Sequence, residues 1–198
     1  YLVGDAMSAY GSEQTFTQDN VMVSAMSILM VMLVLLFTFR SLGMPILLTL
    51  VIQGSIWLNF SISYFTQNSI FFVGYLIVSA IQMGATIDYG ILLSSTYVKY
   101  RQSLGRREAL GAALKAAMPT VFTSGSIMTV AGFCVGLIST VEAINSVGLL
   151  LARGTIVSVI MVLVVLPALL AVFDKILDKT TKPVSYTHLR AHETLMNL

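Results

Sequence analysis

The chain has 198 residues, of which 57% are hydrophobic and only 10% charged, where an ordinary soluble domain has roughly a quarter of its residues charged. That balance belongs to a membrane protein, and a formal net charge of +2 is too small to suggest a nucleic-acid surface. The one cysteine, Cys134, lies in an apolar run, so the chain has neither an internal disulfide nor a thiolate metal cluster.

Residues 1–20 carry Asp5, Glu13 and Asp19 and no Lys or Arg. No secretory signal opens the chain, and the sequence is expected to begin inside a larger protein. "YLVG" reads as the last strand of an extracytoplasmic domain, and the segment after it as a helix that feeds the first span. A bilayer core of about 30 Å needs roughly twenty apolar residues at 1.5 Å each. Five runs meet that length, at about 21–39, 46–64, 70–96, 118–138 and 143–173. The second opens on Pro45, whose missing N–H does no harm in a first helical turn. The fold class is therefore an all-α membrane protein, a bundle of five transmembrane helices preceded by the end of an extracytoplasmic domain.

Lys and Arg concentrate on cytoplasmic loops. Residues 1–20 are then outside and Arg40 inside. The uncharged "YFTQNS" is outside, and the loop with Lys99, Arg101, Arg106, Arg107 and Lys115 is inside. Glu142 lies outside, and Lys175, Lys179 and Lys182 are inside. Within the large inner loop, Leu110, Ala113, Leu114 and Ala117 recur at helical spacing among basic residues, which predicts a helix along the membrane surface. The tail, 179–198, is cytoplasmic, and it contains both histidines, His188 and His192, with Glu193 beside them. Two histidines and one acid in a short polar tail do not make a metal site. "SYTHLRAHET" resembles translated sequencing-adapter read-through, so residues 184–198 are set apart from the native protein.

Asp88, in "AIQMGATIDYGILLSS", is the acid inside a span. A charge at mid-membrane costs about 2.5 to 3.5 kcal/mol on insertion scales and is a functional hypothesis by default. With the third span ending near Thr96, Asp88 lies about 12 Å from the inner end, too deep for its side chain to reach water. Hydrocarbon penalises a carboxylate, which lets such a group take up and release protons. Ser124 and Ser126 of the fourth span and Gln53 of the second fall at comparable depth, and Tyr89 offers a phenol. These are the candidate supporting contacts, although Ser and Thr in membrane helices commonly bond their own backbone. Gly84, Asp88 and Ser95 share one face of the third helix. Gly125, Thr129, Gly132, Gly136 and Ser139 make a small-residue stripe on the fourth, and with Gly84 and Gly90 these glycines are candidates for close helix packing. Arg153 is separated from Asp88 by roughly 13 Å of depth, which excludes direct pairing. It is expected to snorkel outward or to serve the outer face of the bundle.

"YLIVSAIQMGATIDYGILLSSTYVKYRQ", with "FRSLGMPILL" before it and "AMPTVFTSGSIMTVAGF" and "VLPALL" after it, resembles the MMPL branch of the resistance-nodulation-division (RND) transporters over about residues 1–182. The resemblance implies two similar halves in the whole protein, with this chain matching the five spans after the second extracytoplasmic domain. It further implies that Asp88 and Tyr89 are a proton-relay pair and that the proton gradient drives export of lipids, drugs or other hydrophobic compounds from the bacterial plasma membrane. Protons would be the coupling ion, with no cofactor. The implied partners are membrane lipids, the missing N-terminal half, the hydrophobic substrate and a further copy in a homo-oligomer. Two other classes share the architecture: a sterol-sensing-like lipid-binding or regulatory domain, and an accessory subunit of Sec-dependent protein export. In the latter an asparagine precedes the acid, whereas Asp88 follows Ile87. No nucleophile triad, phosphate loop or redox motif marks an enzyme.

Overall fold

The structure is a computed structural model that describes residues 5–39, 41–66 and 72–180. The strand expected at residues 1–4, Arg40 and the tail with His188, His192 and Glu193 lie outside the described residues. The rest is helical, with no strand among the described residues: α1 (Asp5–Phe39), α2 (Gly43–Phe65), α3 (Phe72–Arg101), α4 (Arg106–Ile138), α5 (Glu142–Ile160), a π-helical segment (Met161–Val165) and α6 (Leu166–Thr180). Five stretches are long and apolar enough to cross a membrane: Val21–Phe39, Gly43–Phe65, Gly74–Arg101, Arg106–Ile138 and Glu142–Asp174.

The helices differ in how much of themselves they bury. On α1, Leu35 is fully buried while Val21, Met22, Met26, Leu29, Met30, Leu33, Val34 and Phe37 are all exposed, so this helix lies on the rim. By contrast, α2 buries Met44, Leu47, Leu48, Val51, Ile52, Ser55, Ile56, Asn59 and Ser63, a face repeating every three or four residues as a core-facing helix requires. Met44, Leu47, Leu48 and Val51 join Leu93 and Tyr97 of α3, Ala113, Ala117 and Val121 of α4, and Val162, Leu166 and Leu170 in one cluster. That cluster fills the end of the bundle where Lys99, Arg101, Arg106 and Arg107 fall, called here the basic end.

No separate surface helix precedes the fourth span, contrary to the sequence expectation. Residues 106–117 and 118–138 form the single helix α4, about 50 Å long at 1.5 Å per residue. A continuous buried stripe, Ala109, Ala113, Ala117, Val121 and Gly125, carries the helix through Pro119. The proline loses one backbone bond, and packing of the stripe against neighbouring helices outweighs that loss. The later Pro167 is accommodated differently. Its ring crowds the carbonyl four residues back, and the chain responds with the π turn at Met161–Val165, where the N–H of Leu166 donates to Met161 O.

The α4–α5 hairpin is the tightest contact of the bundle. A Cβ placed on Gly132 would stand 2.8 Å from Ala152 N and 2.9 Å from Gly148 O, and one on Gly136 would stand 2.8 Å from Leu149 side-chain atoms. These two glycines let the backbones touch, and Asn145 Nδ2 donates across the hairpin to Gly136 O.

Candidate functional site

Asp88 occupies the middle of α3, about 20 Å from Gly74 and from Arg101 at 1.5 Å per residue. It is further from the helix end than the sequence estimate because α3 runs on past Thr96 to Arg101. Ile77, Ile81, Gly84, Asp88, Ser95 and Lys99 are all exposed, at spacings that put them on one face of the helix. Asp88 therefore points away from the other four spans. One residue further, a rotation of about 100° carries Tyr89 into the apolar cluster, where it is 8% exposed.

Among the described residues, neither Asp88 nor Tyr89 makes a side-chain hydrogen bond or ion pair. The polar contacts expected around Asp88 take other roles. Ser124 bonds its own helix, donating to Thr120 O at 2.9 Å, and Ser126 is exposed. Gln53 keeps its Oε1 buried without a hydrogen-bond partner among the described residues. The inward-turned core of α2 and α4 therefore leaves Asp88 without a hydrogen-bonding shell from this bundle.

Of the packing glycines, Gly90 meets Leu48 Cδ2 at 2.9 Å from a built Cβ, and Gly125 abuts the Val159 side chain. Gly84 does not pack here: a Cβ on it would meet nothing within 4 Å, since it shares the outward face with Asp88.

The inward face of α3 holds the polar machinery that the sequence did not disclose. Asn59 Nδ2 donates to Gln82 Oε1 at 2.9 Å and to Leu150 O at 3.2 Å. Gln82 Nε2 donates to Ser158 Oγ at 3.1 Å, Thr86 Oγ1 lies 2.8 Å from the same oxygen, and Ser158 Oγ donates to Ser55 Oγ at 3.3 Å. Asn59, Gln82, Thr86, Ser158 and Ser55 are all buried. A Cβ on Gly154 would collide with both amides, 2.5 Å from Asn59 Nδ2 and from Gln82 Oε1, so the missing side chain makes room for the pair. The signal that would have found this network is a ladder at spacings of four: Ser55, Asn59 and Ser63 on α2, Gln82 and Thr86 on α3, Gly154 and Ser158 on α5.

Arg153 joins the same network. Its Nε donates to Asn59 Oδ1 at 2.9 Å, and its Nη2 donates to Asn59 O at 2.8 Å and to Ser63 Oγ. At the basic end a second cluster ties α3 to α6. Tyr97 donates its hydroxyl to Asp174 Oδ1, while Arg101 grips both oxygens of the carboxylate at 3.2 Å. Arg106 Nη1 donates to Ala171 O at 3.1 Å. Among the described residues no three His, Cys, Asp or Glu side chains converge on a metal position.

Five helices able to cross a membrane, with α2 to α6 interlocked by hydrogen bonds and glycine contacts, define an integral membrane bundle. The chain belongs to the MMPL family, whose pattern matches residues 1–188, and that family is one of RND-type membrane transporters. It is similar to the membrane protein ActII-3 of Streptomyces coelicolor, with 24% identity over 186 residues that cover 88% of this chain and 25% of that protein. The chain thus spans about a quarter of the length of this relative.

Proposed function

We propose that the chain is part of a proton-driven RND-type exporter of lipids, drugs or other hydrophobic compounds in a bacterial plasma membrane, and that Asp88 is the group that takes up and releases the proton. One observation carries this reading: Asp88 stands mid-helix on the outward face of α3, with no hydrogen bond or ion pair among the described residues. A carboxyl bonded into a core holds one protonation state, whereas one left at a mid-membrane surface can change state when what covers it changes. Tyr89, turned into the core beside it, serves as the rigid neighbour that fixes the register of that face.

The covering element is the other half of a longer polypeptide, a reading supported by the relative about four times the length of the matched stretch. Gly84 and Ser95, flanking Asp88 on the same exposed face, let another helix come close. The test uses the full-length protein in proteoliposomes with an imposed proton gradient and a lipophilic fluorescent dye as probe. Asp88→Asn keeps the shape and removes the proton site, so efflux should fall to background while the unfolding temperature stays put. Efflux at the wild-type rate would sink the relay role.

A further inference from the structure

Among the described residues, Arg153 is a cation held without a counter-charge. It is half-buried, and its three hydrogen bonds go to neutral acceptors on Asn59 and Ser63. Among the described residues its Nη1 has no acceptor and no carboxylate pairs with it. Removing a guanidinium from water without an anion is costly, and membrane arginines are satisfied by a partner or by the headgroup layer.

The position of the guanidinium identifies that layer. It is drawn to Ser63, near the end of α2 at Phe65, opposite the basic end. The next two residues, Tyr64 and Phe65, are 82% and 83% exposed, as aromatic residues at a membrane–water interface are. On α5, Leu149, Arg153, Ile156 and Ile160 share a face at spacings of four, three and four, and the three apolar members are exposed. Arg153 is thus the charged member of a stripe otherwise suited to hydrocarbon, with its head level with Ser63 near the end of α2.

We propose that Arg153 holds the phosphodiester of an anionic phospholipid headgroup at this end of the bundle, with Asn59 and Ser63 as positioning residues and the acyl chains along Ile156 and Ile160. A guanidinium N–H donates a short, charge-assisted hydrogen bond to a phosphate oxygen. Asn59 and Ser63 fix the Nε and Nη2 edges, which leaves Nη1 for the ligand. This site does not depend on the proton-relay reading.

The test takes the full-length protein, delipidated in detergent, and titrates it with phosphatidylglycerol. Diacylglycerol of the same chains is the arm without a headgroup, and inorganic phosphate is the free-anion arm. Native mass spectrometry counts retained lipids and thermal unfolding gives Tm. Wild type should retain phosphatidylglycerol about tenfold more strongly than diacylglycerol and gain Tm with it. Arg153→Gln should bind one lipid fewer and lose that part of the Tm gain, with Arg153→Lys between the two. Lysines and arginines at the basic end also attract such lipids, so the loss of one lipid is the quantity read. Equal retention of both lipids by wild type, the same lipid count in Arg153→Gln, or a full Tm gain from inorganic phosphate alone would each overturn the proposal. The wild-type and Arg153→Lys arms keep it decidable should Arg153→Gln fail to fold.

Discussion

The two faces of α3 carry polar residues of similar sequence appearance and opposite physical condition. On the inward face, Gln82 and Thr86 are buried and bonded to Asn59 and Ser158. On the outward face, Asp88 is exposed and unbonded among the described residues. A polar residue in an apolar run is therefore not one signal but two. Bonded inside, it fixes one arrangement of helices, and left outside, it is available to something that moves. The comparison implies that substitutions on the inward face act on stability and those on the outward face act on transport.

The largest effect should come from filling the gap that the inward network needs. Gly154→Leu places atoms where Asn59 Nδ2 and Gln82 Oε1 stand, so it both overpacks the core and breaks an amide pair. A loss of at least about 3 kcal/mol is expected, read by thermal unfolding in detergent. A variant that unfolds like wild type would show that the three helices are not held by this pair. Gln82→Met comes next: it keeps the volume and removes the hydrogen bonds to Asn59 and Ser158. In membrane proteins such bonds average well under 2 kcal/mol, because the unfolded chain also finds partners. A loss of about 1–2 kcal/mol is expected, and Asp88→Asn measured the same way should differ from wild type by less than about 0.5 kcal/mol. Equal losses from the two variants would erase the distinction between the faces.

The cluster at the basic end supplies a control outside both faces. Tyr97→Phe deletes the hydroxyl that donates to Asp174 and leaves Arg101 gripping the carboxylate. Because Arg101 still satisfies Asp174, the loss should be about 1 kcal/mol, and efflux should persist. Efflux lost without a change in unfolding would assign this cluster to transport instead.

How much of this was legible in the sequence follows from what each pattern encodes. Run length and the placement of Lys and Arg disclosed the five-helix architecture, because hydrocarbon thickness and backbone satisfaction leave few alternatives. The contacts between helices were hidden. Depth along the bilayer can be counted in residues, but it does not say which way a helix faces. Ser124 and Gln53 match Asp88 in depth, yet Ser124 bonds its own backbone and Gln53 reaches no described partner. Asn59 and Gln82 were hidden because they lie at other depths than Asp88, whereas Gln53, an amide like them, lies near its depth. Arg153 was placed from its depth alone, while its actual bonds depend on how α5 meets α2. The run through Pro119 misled for a related reason: a proline and a basic segment suggest a break, and only the buried stripe from Ala109 to Gly125 reveals one helix.

The smallest effect on stability sharpens the comparison most. Gly84 is one turn from Asp88 on the outward face, and a Cβ there meets nothing within 4 Å. Within this bundle Gly84→Ala should therefore be neutral, or stabilising by up to about 1 kcal/mol, since glycine is a poor residue for a helix interior. Gly84→Leu should unfold like Gly84→Ala, because the longer side chain also projects into open space here. In the full-length chain the two variants should part company. If another helix of a longer polypeptide approaches Asp88 across this face, leucine holds it off by a side chain's width, and efflux should fall at least tenfold with Gly84→Leu while Gly84→Ala retains most of it. Matched efflux from both variants would mean that no helix packs closely over the face of Asp88 in the whole protein.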